Sequence, residues 1–146
     1  MRLPRQHAKS TAARYAKVER RRALGVCVIC GRERRPGGLR CPSCYEQQYA
    51  RSRRYRQALK DKVYAHYGGY VCTCCGETEP HFLSLDHVDG GGTRERRRIK
   101  LEPGAGQELY LRLAREGFRT DLRVLCHNCN RGRWLNGGEC PHVGRR

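Results

Sequence analysis

Eight of the ten cysteines in this 146-residue chain stand in four C-x-x-C pairs, Cys27/Cys30, Cys41/Cys44, Cys72/Cys75 and Cys126/Cys129. Each such turn points two sulfurs at one tetrahedral site, so the spacing predicts two four-cysteine zinc sites. The apolar content is thin by comparison. The chain has two Phe, one Trp and one Met, and its 38% hydrophobic content includes the cysteines, too little for one large core. A small zinc-stabilised α+β protein is the expected class. Met1-Arg2-Leu3-Pro4-Arg5 opens a polar, basic stretch with no apolar signal core after it, and no run approaches the length of a membrane span. The expected location is cytoplasmic, not secreted, where thiols in such pairs serve as metal ligands rather than disulfides.

The formal charge is +17 and unevenly placed: residues 1–66 hold 18 Lys/Arg against 4 Asp/Glu, and residues 67–146 hold 13 against 10. Neutralising phosphates releases condensed counterions, so the front half reads as a clamp for a polyanion, with nucleic acid the expected partner. A solvated basic surface is the plainer reading of the same charge. Neither basic segment carries the bulky apolar face of an interfacial helix, so no membrane partner is expected.

Four segments are expected. Residues 1–24 form a basic arm and a helix capped by Ser10, with Arg20, Arg21 and Arg22 in its last turn and Gly25 at its end. Residues 25–46 form a zinc knuckle on Cys27, Cys30, Cys41 and Cys44, whose intervening glycines let the hairpin close. Residues 47–68 are a basic linker, part of a long helix from Tyr45 to Tyr67 with Tyr45, Tyr49, Leu59, Val63 and Tyr67 near helical spacing. Its tyrosines are expected to pack, leaving Arg51, Arg53, Arg54 and Arg56 to track a phosphate backbone. Residues 69–146 form the back domain. There the pattern predicts a strand at 82–85, a glycine-rich turn at 89–92, a basic run at 94–100, a loop at 103–106, a helix at about 107–116, a returning strand at 122–125 and a short helix beginning near Asn130. Arg96, Arg97, Arg98, Arg131 and Arg133 are further candidates for phosphate contact. No internal repeat is convincing, because the two zinc candidates differ in ligand spacing and surroundings.

In the back domain Cys72 and Cys75 pair with Cys126 and Cys129 across 50 intervening residues. Cys72 is preferred to Cys74 on the usual two-residue gap, which leaves Cys74 spare, as a buried small residue. Cys140 and His142 are two residues without partners, a weak basis for a further metal site. Asp86, His87 and Asn130 add an acid, an imidazole and an amide that could gather around a catalytic divalent ion. C-x-x-C-G at Cys72 to Gly76, L-D-H at Leu85 to His87, the glycine turn, D-L-R-V-L at Asp121 to Leu125 and C-x-x-C-N-R-G at Cys126 to Gly132 follow one another in order. In that order they resemble the HNH endonucleases, a family with a ββα-metal fold common among phage, homing, restriction and CRISPR nucleases. The resemblance runs from Tyr64 to His142, roughly half of the chain.

The resemblance implies a C-terminal ββα-metal (HNH) domain and a metal-dependent endonuclease that hydrolyses DNA phosphodiester bonds, by nicking or double-strand cleavage. By position it makes Asp86 and Asn130 ligands of a catalytic magnesium or manganese ion, and His87 the general base that activates water. Asp121 stands where the family usually has an Asn bracing the loop of the catalytic His. A carboxylate can accept but cannot donate as an amide does, so the substitution is expected to lower efficiency more than change the reaction. His127 and Asn128 lie inside a C-x-x-C turn and are expected to face outward, without a catalytic role. Cys140-Pro141-His142 looks like the ending of small phage-encoded members, which would place the protein in the host cell cytoplasm. One such site cuts one strand, so double-strand cleavage would need dimerisation or a second event. The alternative is a non-catalytic zinc-dependent nucleic-acid-binding protein in which the same unit is only a scaffold.

Overall fold

The computed structural model describes residues 5–98 and 106–143, the side chains of 5–10, 93, 96, 98 and 106 excepted. The opening of the expected basic arm, Lys100, most of the loop at 103–106 and the side chains of Arg96 and Arg98 therefore lie outside the described residues. The chain divides into two compact units, Met1–Arg54 and Tyr55–Arg146.

In the front unit, helix α1 (Arg5–Ala23) begins five residues ahead of Ser10. Arg5, Gln6, Ala8 and Lys9 are good helix formers, so the serine does not have to start the helix. Its cationic last turn does local structural work, since Arg21 Nη1 donates to the carbonyls of Val28, at 3.3 Å, and of Ile29. The core of this unit is largely sulfur: Cys27, Cys41 and Cys44 are buried together with Cys30 against them. Helix α2 (Pro42–His66) starts three residues before Tyr45, inside the second C-x-x-C pair. Pro42 explains the early start, because its fixed φ suits the first helical turn and its missing N–H has no partner to lose there. Tyr45 and Tyr49 do not pack as expected. They are exposed, 6.3 Å apart and near parallel, and Arg35 lies 3.8 Å above Tyr45, because the unit offers no apolar layer to receive them.

The back unit begins within α2, whose Leu59, Val63 and Tyr64 are buried there. Strands β1 (Leu83–His87) and β2 (Leu122–Cys126) pair antiparallel, with Leu83 opposite Cys126 and His87 opposite Leu122. β1 runs two residues beyond the expected 82–85 and so carries Asp86 and His87 itself. Leu83 and Val124 pack with Tyr64, while Leu122 packs with Val63 and Leu113. Each such side chain contributes about 1.5–3 kcal/mol on burial. Between the strands lie α3 (Gly92–Arg98) and α4 (Gly106–Glu116). α4 presents Leu109 and Leu113 inward, as its spacing predicts. The expected glycine turn is present, with Gly90 and Gly91 at φ of 74° and 91°, and α3 follows it and takes up most of the expected basic run. Its one acidic residue, Glu95, sits in the first turn, where the helix dipole favours it. Helix α5 (His127–Leu135) follows β2 without a break, capped by Cys126, and starts three residues before Asn130. Tyr67 packs as expected and its Oη donates to the Arg119 carbonyl at 2.9 Å, while Tyr64 Oη donates to that of Leu83 at 3.0 Å. Among the described residues, no helix is long and apolar enough to cross a membrane.

Candidate functional site

Cys27, Cys30, Cys41 and Cys44 bring their four sulfurs within 4.8 Å of one another, and so do Cys72, Cys75, Cys126 and Cys129. The Sγ–Sγ separations of 3.6 Å for Cys30–Cys41 and 3.7 Å for Cys75–Cys126 fall near the edge, about 3.8 Å, of a tetrahedron with Zn–S bonds of about 2.3 Å. Both sets can bind zinc. They also share a construction that the differing spacings conceal. In each, the first pair is a C-x-x-C-G turn: Cys27 N–H donates to Arg32 O and Gly31 N–H to Cys27 O, and equally Cys72 N–H donates to Glu77 O and Gly76 N–H to Cys72 O. Gly31 and Gly76 have φ of 83° and 81°, a conformation that costs a side-chain-bearing residue dearly. In each, the second pair opens a helix, α2 or α5. Cys126 Sγ accepts the Cys129 N–H at 3.4 Å, so helix amide groups stand ready for a thiolate.

Four thiols this close cannot all ionise without a cation. Burial works to raise the Cys27 thiol, but the backbone N–H groups of Cys30, Cys41 and Ile29 bring it down to about 5. Burial and the neighbouring sulfurs push Cys44 up to about 12, and burial with its sulfur neighbours drives Cys129 up as well. A dication bound among them removes the conflict. Cys74, spare in the sequence, is half-buried and turned toward His142, 3.9 Å away.

At the far end of the sheet Asp86, His87 and Asn130 line one cleft of about 730 Å³, with Glu95, Arg97 and Arg133 among its other walls. Asp86 and His87 are neighbours on β1 and so start toward opposite faces, Asp86 toward α5 and His87 toward α3. His87 Nε2 is in hydrogen-bond contact with Glu95 Oε2. Hydrogen bonds from Arg119 first, and then from His87, hold the Glu95 carboxyl down at about 2 against the burial that would raise it. Arg119 Nη2 also lies 2.9 Å from His87 Nε2, so this nitrogen faces a carboxylate that only accepts and a guanidinium that only donates, and both contacts of the ring fall on Nε2 rather than Nδ1. Arg119 Nη2 donates to the same Glu95 oxygen at 3.0 Å, and its Nε to Asp121 Oδ1 at 2.9 Å. Asp121 is thus outside the cleft. Its backbone carbonyl accepts the Val88 N–H at 2.9 Å, beside His87, and its side chain steadies Arg119.

Gly92 comes equally close on the other side: a Cβ there would lie 2.9 Å from His87 Nδ1. Asp86 Oδ2 accepts from Arg133 Nη1 at 2.8 Å and from Arg123, opposite it on β2, at 3.4 Å. Arg133 also donates to the carbonyls of His87, Val88 and Gly138. Asn130 Nδ2 donates to Ser84 Oγ at 3.3 Å. Glu95 and Arg119 were not singled out in the sequence. The available signal was one glutamate set among Arg94, Arg96, Arg97 and Arg98, eight residues past the histidine.

Of the arginines expected to meet phosphate, Arg51, Arg53, Arg54, Arg56 and Arg97 are exposed. Arg131 is exposed and lies 4.2 Å over the Trp134 ring, whereas Arg133 is committed inward to the carbonyls and carboxylate just named. His127 and Asn128 are exposed. No family model, curated protein or solved structure matches this chain.

Proposed function

We propose that the protein is a zinc-framed, metal-dependent HNH-type endonuclease that hydrolyses DNA phosphodiester bonds. The observation that carries this reading is the strand–strand–helix unit that brings Asp86, His87 and Asn130 to one cleft, with the Glu95 and Arg119 contacts of the His87 ring both on Nε2. His87 takes a proton from water through Nδ1, and the hydroxide attacks phosphorus. On this reading the Nε2 proton points to Glu95, which fixes the ring and offsets the imidazolium charge, while Arg119 keeps Glu95 ionised and also touches Nε2. The hydrogen bonds from Arg133 and Arg123 to Asp86 fall on Oδ2 and that of Asn130 leaves from Nδ2, so each has an oxygen suited to a hard cation. A bound magnesium or manganese ion would supply charge neutralisation on the phosphate and on the leaving 3′ oxygen. Arg97, at the cleft, and the exposed Arg51, Arg53 and Arg54 of α2 supply phosphate attraction to a chain already at +17. Zinc at each four-cysteine set acts as frame rather than reagent, about two ions on this reading.

One observation favours a zinc-dependent DNA binder that does not cut. Arg133 and Arg123 already pair with Asp86, which gives that carboxylate a structural occupation without a metal. Supercoiled plasmid separates the two readings. With magnesium or manganese, the wild type should nick it, EDTA should stop the nicking, and His87→Ala should abolish it while retaining salt-sensitive DNA binding. Binding without nicking, or equal nicking by His87→Ala, rejects the catalytic reading.

A further inference from the structure

The back unit holds more ligands than one zinc can use. Beside the Cys72/Cys75/Cys126/Cys129 set, a second set of Cys74, Cys129, Cys140 and His142 also has its donor atoms within 4.8 Å of one another. Cys129 belongs to both. Its Sγ is 3.3 Å from His142 Nδ1, Cys140 Sγ is 3.6 Å from the same nitrogen and Cys74 Sγ is 3.9 Å from it. Hydrogen bonding does not account for this. An imidazole Nδ1 is one donor or one acceptor, so it satisfies one sulfur, yet three converge on it. Tetrahedral zinc does account for it, since Zn–S bonds of about 2.3 Å and a Zn–N bond of about 2.05 Å place sulfur and nitrogen about 3.5 Å apart.

We propose that the back unit carries a two-zinc cluster, in which the Cys129 thiolate bridges one ion held by Cys72, Cys75 and Cys126 and a second held by Cys74, Cys140 and His142. The proposal rests on the zinc frame proposed above and is independent of the cutting chemistry. Charge favours it. Six thiolates around two dications leave the same residual double negative charge as four thiolates around one, so the second ion enters at no added electrostatic burden. Arg123, Arg133 and Glu139 line the recess of about 460 Å³ beside Cys74, Cys140 and His142. Burial points the same way: Cys129 is fully buried, Cys140 is 7% exposed, and His142 stands at the solvent side, as a closing ligand should.

The C-terminal segment is also fitted to reach the cluster. A Cβ on Gly132 would lie 3.0 Å from Pro141 Cδ, so the Cys140-Pro141-His142 segment approaches α5 this closely because position 132 has no side chain. The odd C-x-C-C spelling at residues 72–75 acquires a reason too. Cys72 and Cys75 face one ion while Cys74, between them, faces the other.

The test is metal stoichiometry on the full chain, expressed with ample zinc, beside the double variant Cys140→Ser/His142→Ala. Three zinc ions per wild-type chain and two in the variant are expected, with Cys74 and Cys140 shielded from iodoacetamide in the native wild type. In the ¹¹³Cd-substituted protein two of the three resonances should be split by coupling through the shared sulfur. Two zinc ions in both proteins, with Cys74 and Cys140 alkylated or joined in a disulfide, overturns the cluster and leaves the four-cysteine frame standing. Three ions with uncoupled cadmium resonances overturn the bridge. One zinc or none in the wild type overturns the frame and the cluster together.

Discussion

Gly92→Ala isolates the part of the cleft that the nuclease reading depends on most. The added Cβ would stand 2.9 Å from His87 Nδ1 and 3.3 Å from Cε1. Ordinary contact for such atoms begins at about 3.5 Å, so the ring has to retreat by about 0.5 Å or rotate away from Glu95. Either movement displaces the one nitrogen available as a base. Misplacement on the scale of 1 Å can cost roughly a hundredfold in rate, so a fall of about 10–100-fold in single-turnover plasmid nicking is expected. Stability should move the other way or not at all. Gly92 is the first residue of α3 and is absent from the positive-φ glycines, so alanine is compatible with its backbone and removes up to about 1 kcal/mol of unfolded-state freedom. The assay is therefore paired: nicking rates with saturating magnesium, chemical denaturation, and ¹⁵N chemical shifts of the His87 ring. A variant that nicks at the wild-type rate with unchanged His87 shifts would refute the placement of Nδ1 as the base. A variant that loses activity only because it unfolds would refute the steric argument.

Two further outcomes follow from the same unit. Glu95 has its pKa depressed to about 2 from 4.5, so its ion pairs stabilise the fold fully above pH 4.5 and are lost as pH falls toward 2. With Arg119 partly exposed and screening the gain, the stability gap between wild type and Glu95→Gln should be about 1–2 kcal/mol, flat from pH 8 to pH 5 and closing below that; a gap that already closes between pH 8 and pH 6 assigns the effect to another group. Tyr64→Phe removes the buried hydrogen bond to Leu83 O and should cost about 1 kcal/mol in zinc-saturated protein, with zinc content unchanged; no loss of stability would show that this bond does not tie α2 to β1.

The strands and α4 were legible because their apolar residues recur with a period that local sequence displays. Leu122 and Val124 alternate, and Leu109 and Leu113 stand four apart. The four C-x-x-C pairs were legible for a different reason, since tetrahedral coordination imposes spacing directly. α3 was hidden. A seven-residue helix made mostly of arginines has no apolar stripe, and what holds it is Glu95 meeting His87 and Arg119, two partners that lie 8 and 24 residues away. The cluster at His142 was hidden likewise, because Cys74 and Cys140 are 66 residues apart and become neighbours only after β2 and α5 are laid down. Ser10 misled through the opposite error, a strong local signal overruled by helix formers on both sides of it.

The four-cysteine set of the back unit and the cleft share one element, α5. Cys126 closes β2 and caps the helix, Cys129 is fixed in the metal set, and Asn130 is the next residue, with Arg133 one turn further on the same side. A rotation of α5 about its own axis that moved Cys129 off its ligand position would swing Asn130 away from Ser84 and Arg133 away from Asp86. β1 extends this coupling. Leu83 pairs with Cys126 at the end beside the four cysteines, and three and four residues later, about 10–13 Å along the strand, Asp86 and His87 reach the cleft. Half of the buried cluster around these elements is cysteine: beside Tyr64, Leu83, Val124 and Leu125 stand Cys72, Cys126, Cys129 and Cys140, with Tyr67, Tyr70, Leu85 and Tyr110 packed against them. A catalytic site of the kind proposed needs the rotation of α5 set closely, and the cysteines of the cluster lie on α5 and on the strand that leads into it. With zinc bound as proposed, the four sulfurs would fix that rotation, and a chain with so few large apolar residues could hold a polar cleft open at one end of a two-stranded sheet.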